Sequence, residues 1–539
     1  MSHNPWSAFG QATTIVETRD ISEDLIDGAI LRRLRFLSHQ IDEKPLWVYA
    51  VYGRPEGTPR KVPGLVHVHG NNQTACVQHT RYFASRGYAL ISFDWGGPTK
   101  TRSEKFTTSF PSDIPPIEDT ECDPDKARVR HLVWIARRAL SFLEQQPQVD
   151  PERLGIFGTS WGGLACWLVN GTDPRVKATI PIFGCGLRDD LPARAEWRSR
   201  YQPSQYAATQ SGEICFLNGT NDFFGHLSTL EEFWDDLQVD KRLGLSPNEN
   251  HGLEEALKLT GRRWFDAKLK KGSPLPVSPE LTLDLEDGGM WSEVFAPGAV
   301  QVRIFYSVTP DGTNPGSYWY LGPWGTSNDG FFSARWRLPM GSRRVRVFAE
   351  ATYADGLSLS SMPQDLFEKV GTIALEGFDA SIWFDPLMGK TPWYTRWPVR
   401  GSGLAPGNGN TKIGRSRHDG RLCLSQVFAN KENRFEAILR RPACPVVGVG
   451  DGTRLRMQVS CPSGGLMTCT ASASQGNRNF EDLMLGEKSL ELLAQPQWQD
   501  LVISPDHWPD FNFSQIRQLQ ICFTSKELPG IEIGQISLI

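Results

Sequence analysis

The chain has 539 residues, with 39% apolar and 22% charged residues and a formal net charge of −4. That length exceeds what one hydrophobic core usually serves, so two or three domains are expected, and the composition is that of a globular protein rather than a disordered or fibrous one. The slight acidic balance gives no general attraction to nucleic acid or an anionic membrane, and no window of eighteen apolar residues supplies a spanning helix.

At the amino terminus, Met1 to Gly10 lacks a basic region followed by an apolar run, so it does not read as a secretory signal. The expected location is the cytoplasm, or a secreted or periplasmic one if a leader has been removed. Val62 to Val68 reads as a buried strand running into His69-Gly70-Asn71-Asn72-Gln73. A His-Gly pair at such a strand end suits an oxyanion loop: Gly70 makes room, and the backbone N–H of Asn71 is the expected donor. His67, His69, Cys76 and His79 raise a metal site as the alternative, but their spacing matches no common metal motif, and no metal or organic cofactor is expected. After the strand-like Ala89 to Phe93 comes Asp94, and the following loop carries Arg102 and Lys105, which could approach substrate oxygens or be solvated charges.

The strand-like Arg153 to Phe157 leads into Gly158-Thr159-Ser160-Trp161-Gly162-Gly163, and Leu164 to Val169 continues as an apolar helix. This is a nucleophile-elbow pattern: a serine at a sharp strand-to-helix turn projects clear of the sheet, and the next N–H, that of Trp161, faces a developing oxyanion. A serine hydroxyl is a poor nucleophile near neutrality and requires a base, itself oriented by a third group. Val176 to Phe183 and Glu213 to Leu217 read as further strands, the second ending in Asn218-Gly219-Thr220-Asn221-Asp222. A helix over Leu227–Leu237 and a strand over Lys241–Leu245 precede the loop that carries His251. In an open parallel sheet the carboxyl ends of neighbouring strands converge on one crevice, so Ser160, Asp222 and His251 form the candidate triad. Asp94, Asp189 and Asp190 are the competing acids.

Beyond residue 270 the pattern changes. Lys270 to Pro279 reads as a Pro-rich linker. Short alternating runs, among them 300–307, 330–336 and 344–351, indicate a β-sandwich over about 280–391. A Gly-rich break at 401–410 leads to a second all-β region, 412–539, closing on Ile531 to Ile539. Trp508, Phe511 and Phe513 are available there for stacking on sugar faces, although aromatics in a sandwich more often face its core. Of the ten cysteines, Cys166, Cys185 and Cys215 fall in apolar segments, while Cys461 and Cys469 could pair across a hairpin.

Through His67-Val68-His69-Gly70, Gly158 to Gly163, Asp173-Pro174-Arg175-Val176-Lys177-Ala178 and Leu217 to Phe224, residues from about 30 to 270 resemble the α/β-hydrolase superfamily. Within it the resemblance is to the branch shared by dienelactone hydrolases, acetyl xylan esterases and prolyl-oligopeptidase-type catalytic domains. It implies an α/β fold with a doubly wound, mainly parallel sheet over residues 1–272, Ser160 as nucleophile, His251 as general base and then acid, and Asp222 as its orienting carboxylate. The two all-β regions resemble immunoglobulin- or fibronectin-like and jelly-roll, carbohydrate-binding-like modules. Dienelactone hydrolases commonly carry cysteine as nucleophile, so serine favours an ester or peptide substrate over a dienelactone, and the resemblance together with the appended sandwiches implies a carbohydrate ester, above all an acetyl ester. A prolyl-oligopeptidase-like peptidase and a noncatalytic binding protein on a hydrolase fold are the alternatives.

Overall fold

The structure is a computed structural model that describes residues 6, 15–57, 60–96, 104–187, 191–222, 224–247, 249, 251–286, 289–308, 319–324, 326–336 and 344–367. Further along it describes 382–384, 394–395, 404, 411–415, 422–427, 434–440, 454–460, 465–474, 484–494, 496–503, 518–524 and 530–538.

Nine strands form one sheet: β1 (Thr18–Ile26), β2 (Ala29–Ile41), β3 (Lys44–Pro55), β4 (Val62–Val68), β5 (Ala89–Phe93), β6 (Val149–Thr159), β7 (Val176–Ile182), β8 (Glu213–Gly219) and β9 (Lys241–Ser246). Their order is β1-β2-β3-β5-β4-β6-β7-β8-β9. β1, β2, β3 and β5 pair antiparallel in succession, whereas β5, β4 and β6 to β9 run parallel. The first two hairpins close on two-residue turns, Asp27-Gly28 at φ 51° and 72° and Asp42-Glu43 at 48° and 65°. Positive φ at both turn residues matches the right-handed twist of the flanking strands. The Asp-Gly pair was the legible signal for the first hairpin, although the sequence reading names no strand before Val62.

Among the described residues, six helices cover the sheet: α1 (Val77–Ala84), α2 (Arg128–Glu144), α3 (Trp161–Asn170), α4 (Ala195–Tyr201), α5 (Leu227–Glu231) and α6 (Glu255–Lys270). Alternate side chains of a strand point to opposite faces. Accordingly Val66 and Ile156 pack with Leu132 and Leu140 of α2 and Leu164 of α3, while Leu65 and Phe157 pack with Phe83 of α1 and Phe265 of α6. Strand order reverses at β4, which has β5 on one side and β6 on the other, and such a reversal opens a crevice at the strands' carboxyl ends. The helix read over Leu227–Leu237 ends at Glu231. Adjacent Phe233 and Trp234 are both buried, Phe233 with its ring 5.3 Å from that of Trp167, and the chain tightens there to i→i+3 bonds such as Asp236 N–H to the Phe233 carbonyl.

Beyond α6 the strands form four antiparallel sheets. One contains 280–286, 289–295, 326–328 and 331–336, and the next contains 299–308, 319–324, 344–353, 358–360 and 364–367. Two more, of six strands (382–384 among them) and five strands, are built from residues 382–538. The stretch read as a linker is not a free tether. The N–H groups of Leu243 and Leu245 on edge strand β9 donate to Ser278 Oγ (3.2 Å) and Ser360 Oγ (3.0 Å). Thr260 of α6 donates through Oγ1 to the Ser358 carbonyl (2.9 Å) and accepts from its N–H (3.1 Å). The edge of the nine-stranded sheet is thereby covered by side chains that satisfy its backbone.

Candidate active site

Ser160 sits between β6 and α3 with φ 60° and ψ −123°, a region that costs a non-glycine residue about 1–3 kcal/mol. Its surroundings hold it there: its N–H donates to the Ile182 carbonyl (2.8 Å), and its own carbonyl accepts from Leu164 (3.0 Å). All ten residues of α3 are buried, so the helix is anchored around its whole circumference. Close backbone approach explains the flanking glycines. A Cβ on Gly158 would lie 2.5 Å from the Gly162 carbonyl oxygen, and one on Gly162 would lie 2.2 Å from that of Val68.

β8 and β9 deliver the other two side chains. The His251 Nδ1 and Asp222 Oδ2 atoms are 2.6 Å apart, and the Asp222 side chain is fully buried. Asp222 Oδ1 accepts the N–H groups of Phe224 (2.8 Å) and Gly225 (2.5 Å), and Asn218 Nδ2 holds the same loop by donating to the Gly225 carbonyl (2.6 Å). The Asn221 N–H donates to the Glu249 carbonyl (3.0 Å), tying the acid loop to the histidine loop. Asp222 Oδ2 accepting from Nδ1 assigns the His251 proton to that nitrogen and makes Nε2 the ring atom able to accept a proton. The Phe183 ring lies 4.5 Å from the imidazole, on a backbone at φ 63° whose N–H bonds to the Leu217 carbonyl (3.1 Å). Sequence reasoning missed Phe183, because a hydrophobic residue at a strand end reads as core.

Asp222→Asn is expected to lower turnover at this site about 10³- to 10⁴-fold, since the amide reverses the tautomer preference of His251. Steady-state rates on an activated ester check this, and wild-type turnover in the variant would remove Asp222 from the site.

The loop after β4 abuts the elbow: a Cβ on Gly70 would stand 3.4 Å from Ser160 Cβ. His69 Nδ1 lies 2.6 Å from the Gly70 carbonyl oxygen, and Nε2 accepts the Trp95 N–H (3.2 Å), which assigns the ring proton to Nδ1. That bond fixes the Gly70–Asn71 peptide plane and with it the direction of the Asn71 N–H. Trp161 opens α3, so its N–H belongs to the first helical turn, whose amides have no intrahelical partner.

Of the competing acids, Asp94 is buried and faces His69 rather than His251, with Oδ1 3.7 Å from Nε2 and Oδ2 accepting the Thr108 N–H (2.7 Å). Burial opposes its charge, but the hydrogen bonds it accepts, from the Thr108 amide and Thr74 among them, outweigh that and hold the carboxyl below the usual range. Asp189, Asp190 and Arg102 lie outside the described residues, as do Trp508, Phe511, Phe513 and Cys461. His67 bonds Ser92 Oγ through Nδ1 (2.8 Å), and Cys76 Sγ caps α1 by accepting the His79 N–H (3.4 Å). Among the described residues, no group of three or more His, Cys, Asp or Glu could hold a metal, and no helix is long and apolar enough to cross a membrane. Cys166, Cys185 and Cys215 are buried free thiols.

Residues 49–259 match the Dienelactone hydrolase family. A curated relative in Synechocystis sp., named "Putative carboxymethylenebutenolidase", is 24% identical over 131 residues, which cover 24% of this chain and 51% of the relative. The chain thus spans about half the length of that relative. Among solved structures, an acetyl xylan esterase from Paenibacillus sp. R4 is similar at 18% identity and a TM-score of 0.41, covering 49% of this chain and 92% of that one. An acylaminoacyl peptidase from Pyrococcus horikoshii is similar at 18% identity and a TM-score of 0.35, covering 50% of this chain and 44% of that one.

Proposed function

From an α/β-hydrolase of the dienelactone hydrolase family as premise, we propose that the protein is a serine carboxylesterase acting on carbohydrate esters, acetyl esters above all. The observation that carries the reading is the Asp222–His251 hydrogen bond at the carboxyl ends of β8 and β9, in the same sheet whose β6 presents Ser160 on a strained elbow. Ser160 Oγ attacks the ester carbonyl while His251 Nε2 takes its proton. The tetrahedral oxyanion is held by the N–H groups of Asn71 and Trp161, and the alcohol leaves with the proton returned by His251. Water then enters through the same base, and the acid is released. Serine in place of the thiol common in this family supports an oxygen ester as substrate. The choice of a sugar alcohol rests on the resemblance to acetyl xylan esterases and on the antiparallel sheets that follow the hydrolase, read as two sandwich domains.

The test is turnover of 4-nitrophenyl acetate, acetylated xylan oligosaccharides and an aminoacyl anilide by the wild-type enzyme. Hydrolysis of both esters without the anilide is the expected result; anilide turnover would move the reading to a peptidase.

A further inference from the structure

β7 ends against both halves of the candidate site. Its last residue, Ile182, accepts the Ser160 N–H through its carbonyl (2.8 Å), and the next, Phe183, donates its N–H to the Leu217 carbonyl (3.1 Å) on the strand that leads to Asp222. The chain passes between the elbow and the acid loop in close backbone contact with each. A Cβ on Gly184 would stand 2.3 Å from the Ser160 carbonyl oxygen, and one on Gly225 would stand 1.9 Å from that of Phe183. Phe183 itself takes φ 63°, in the left-handed region that a bulky residue rarely adopts. Strain of this kind persists only where the surroundings over-determine it, and its occurrence points to function. Glycine would meet the same backbone requirement without strain, so a large side chain at this position needs a reason of its own.

The position of the ring supplies one. Phe183 is buried, and its ring centroid lies 4.5 Å from that of His251 with 33° between the planes, a tilted face contact. His251 is bound to Asp222 Oδ2 through Nδ1 (2.6 Å). One hydrogen bond sets the distance and direction of that atom but leaves the ring able to turn about the bond, which shifts Nε2 and re-aims its lone pair. The His251 side chain is 25% exposed, so it is not packed on every side. A rigid ring against one imidazole face limits the turn that the hydrogen bond permits.

We propose that Phe183 is a positioning residue: its ring, held by the same strand end that supports the Ser160 backbone, sets the tilt of the His251 imidazole and so the aim of Nε2 at the serine hydroxyl. The inference rests on the reading of His251 as the base for Ser160 and adds the group that orients it besides Asp222. The test uses Phe183→Leu and Phe183→Met, which keep an apolar side chain without a flat face, and Phe183→Tyr, which keeps the face. A misplacement of about 1 Å can cost about 10²-fold in rate, so kcat on 4-nitrophenyl acetate should fall about 10- to 100-fold in the leucine and methionine variants. Acylation and deacylation both pass through His251 and slow together, so KM should stay within about threefold of wild type. The low-field proton resonance of the Asp222–His251 hydrogen bond should persist in both, and Phe183→Tyr should recover most of the lost kcat. Wild-type kcat in the leucine or methionine variant overturns the proposal while serine-dependent turnover by the wild type leaves the base reading standing. Loss of the low-field resonance together with kcat also overturns it, because Phe183 would then only hold the acid and histidine loops together. Absence of serine-dependent turnover in the wild type overturns the base reading and the inference with it.

Discussion

Ser160→Ala is expected to lower ester hydrolysis by about 10⁴- to 10⁶-fold with the fold intact. The variant keeps the Cβ and the backbone bonds that hold the elbow, to the Ile182 carbonyl and from the Leu164 N–H, and loses only the hydroxyl that would form the acyl-enzyme. Residual activity would come from the oxyanion donors and substrate binding alone, a pattern seen when the nucleophile of a triad is removed. Rates on 4-nitrophenyl acetate, together with far-ultraviolet circular dichroism and the Tm, separate chemistry from folding. The same variant should fail to take up a fluorophosphonate that labels the wild type. Retained turnover or retained labelling would remove Ser160 from the mechanism and with it the reading of the whole site.

Acid is expected to unfold the protein well above the carboxylate range. Four histidines are held neutral. Burial, with Lys258 nearby, lowers His79 to about 4, and burial, with Arg130 and Arg128, lowers His131 to about 3. Burial also pushes His67 and His39 well down, the first helped by His79 and His69 and the second by His131 and Arg130. In the unfolded chain each titrates near 6.5, so between about pH 6.5 and the folded value the unfolded state binds more protons. Stability is therefore complete above about pH 6.5 and falls as pH drops toward 4, by up to about 1.4 kcal/mol per unit for each histidine. Tm measured from pH 8 to pH 4.5 should be level at first and then fall steeply below about 6.5. His79→Phe should reduce the slope, because both His79 ring nitrogens are buried without a hydrogen-bond partner among the described residues and the change removes one proton from the linkage. A level Tm from pH 7 to 4.5 would contradict this account.

The local features were legible because they are short-range. A strand, a small-residue turn and an apolar helix around Ser160 are contiguous, and the strand ends carrying Asp222 and the Asn71 loop announce themselves by composition. Helix termination at Glu231 was not legible, because burial of Phe233 and Trp234 against Trp167 is a tertiary effect that overrides helical continuation. The first three strands of the sheet went unnamed although the Asp27-Gly28 turn was visible. Their role depends on β3 pairing with β5, about forty residues further along the chain, which no local pattern encodes.

The sequence by itself determined the chemistry on offer: a serine held on a strained turn by glycines that admit no Cβ, with an acid and a histidine following in chain order. Chain order already favoured Asp222 among the acids; the tertiary structure adds which imidazole each described acid meets. Asp94 and Asp222 both follow strands, yet the strand order β5-β4-β6-β7-β8-β9 puts Asp94 against His69 and Asp222 against His251. Which carboxylate meets which imidazole is set by strand neighbours that are distant in the chain, and a hydrogen bond is satisfied by proximity in space rather than by position in sequence.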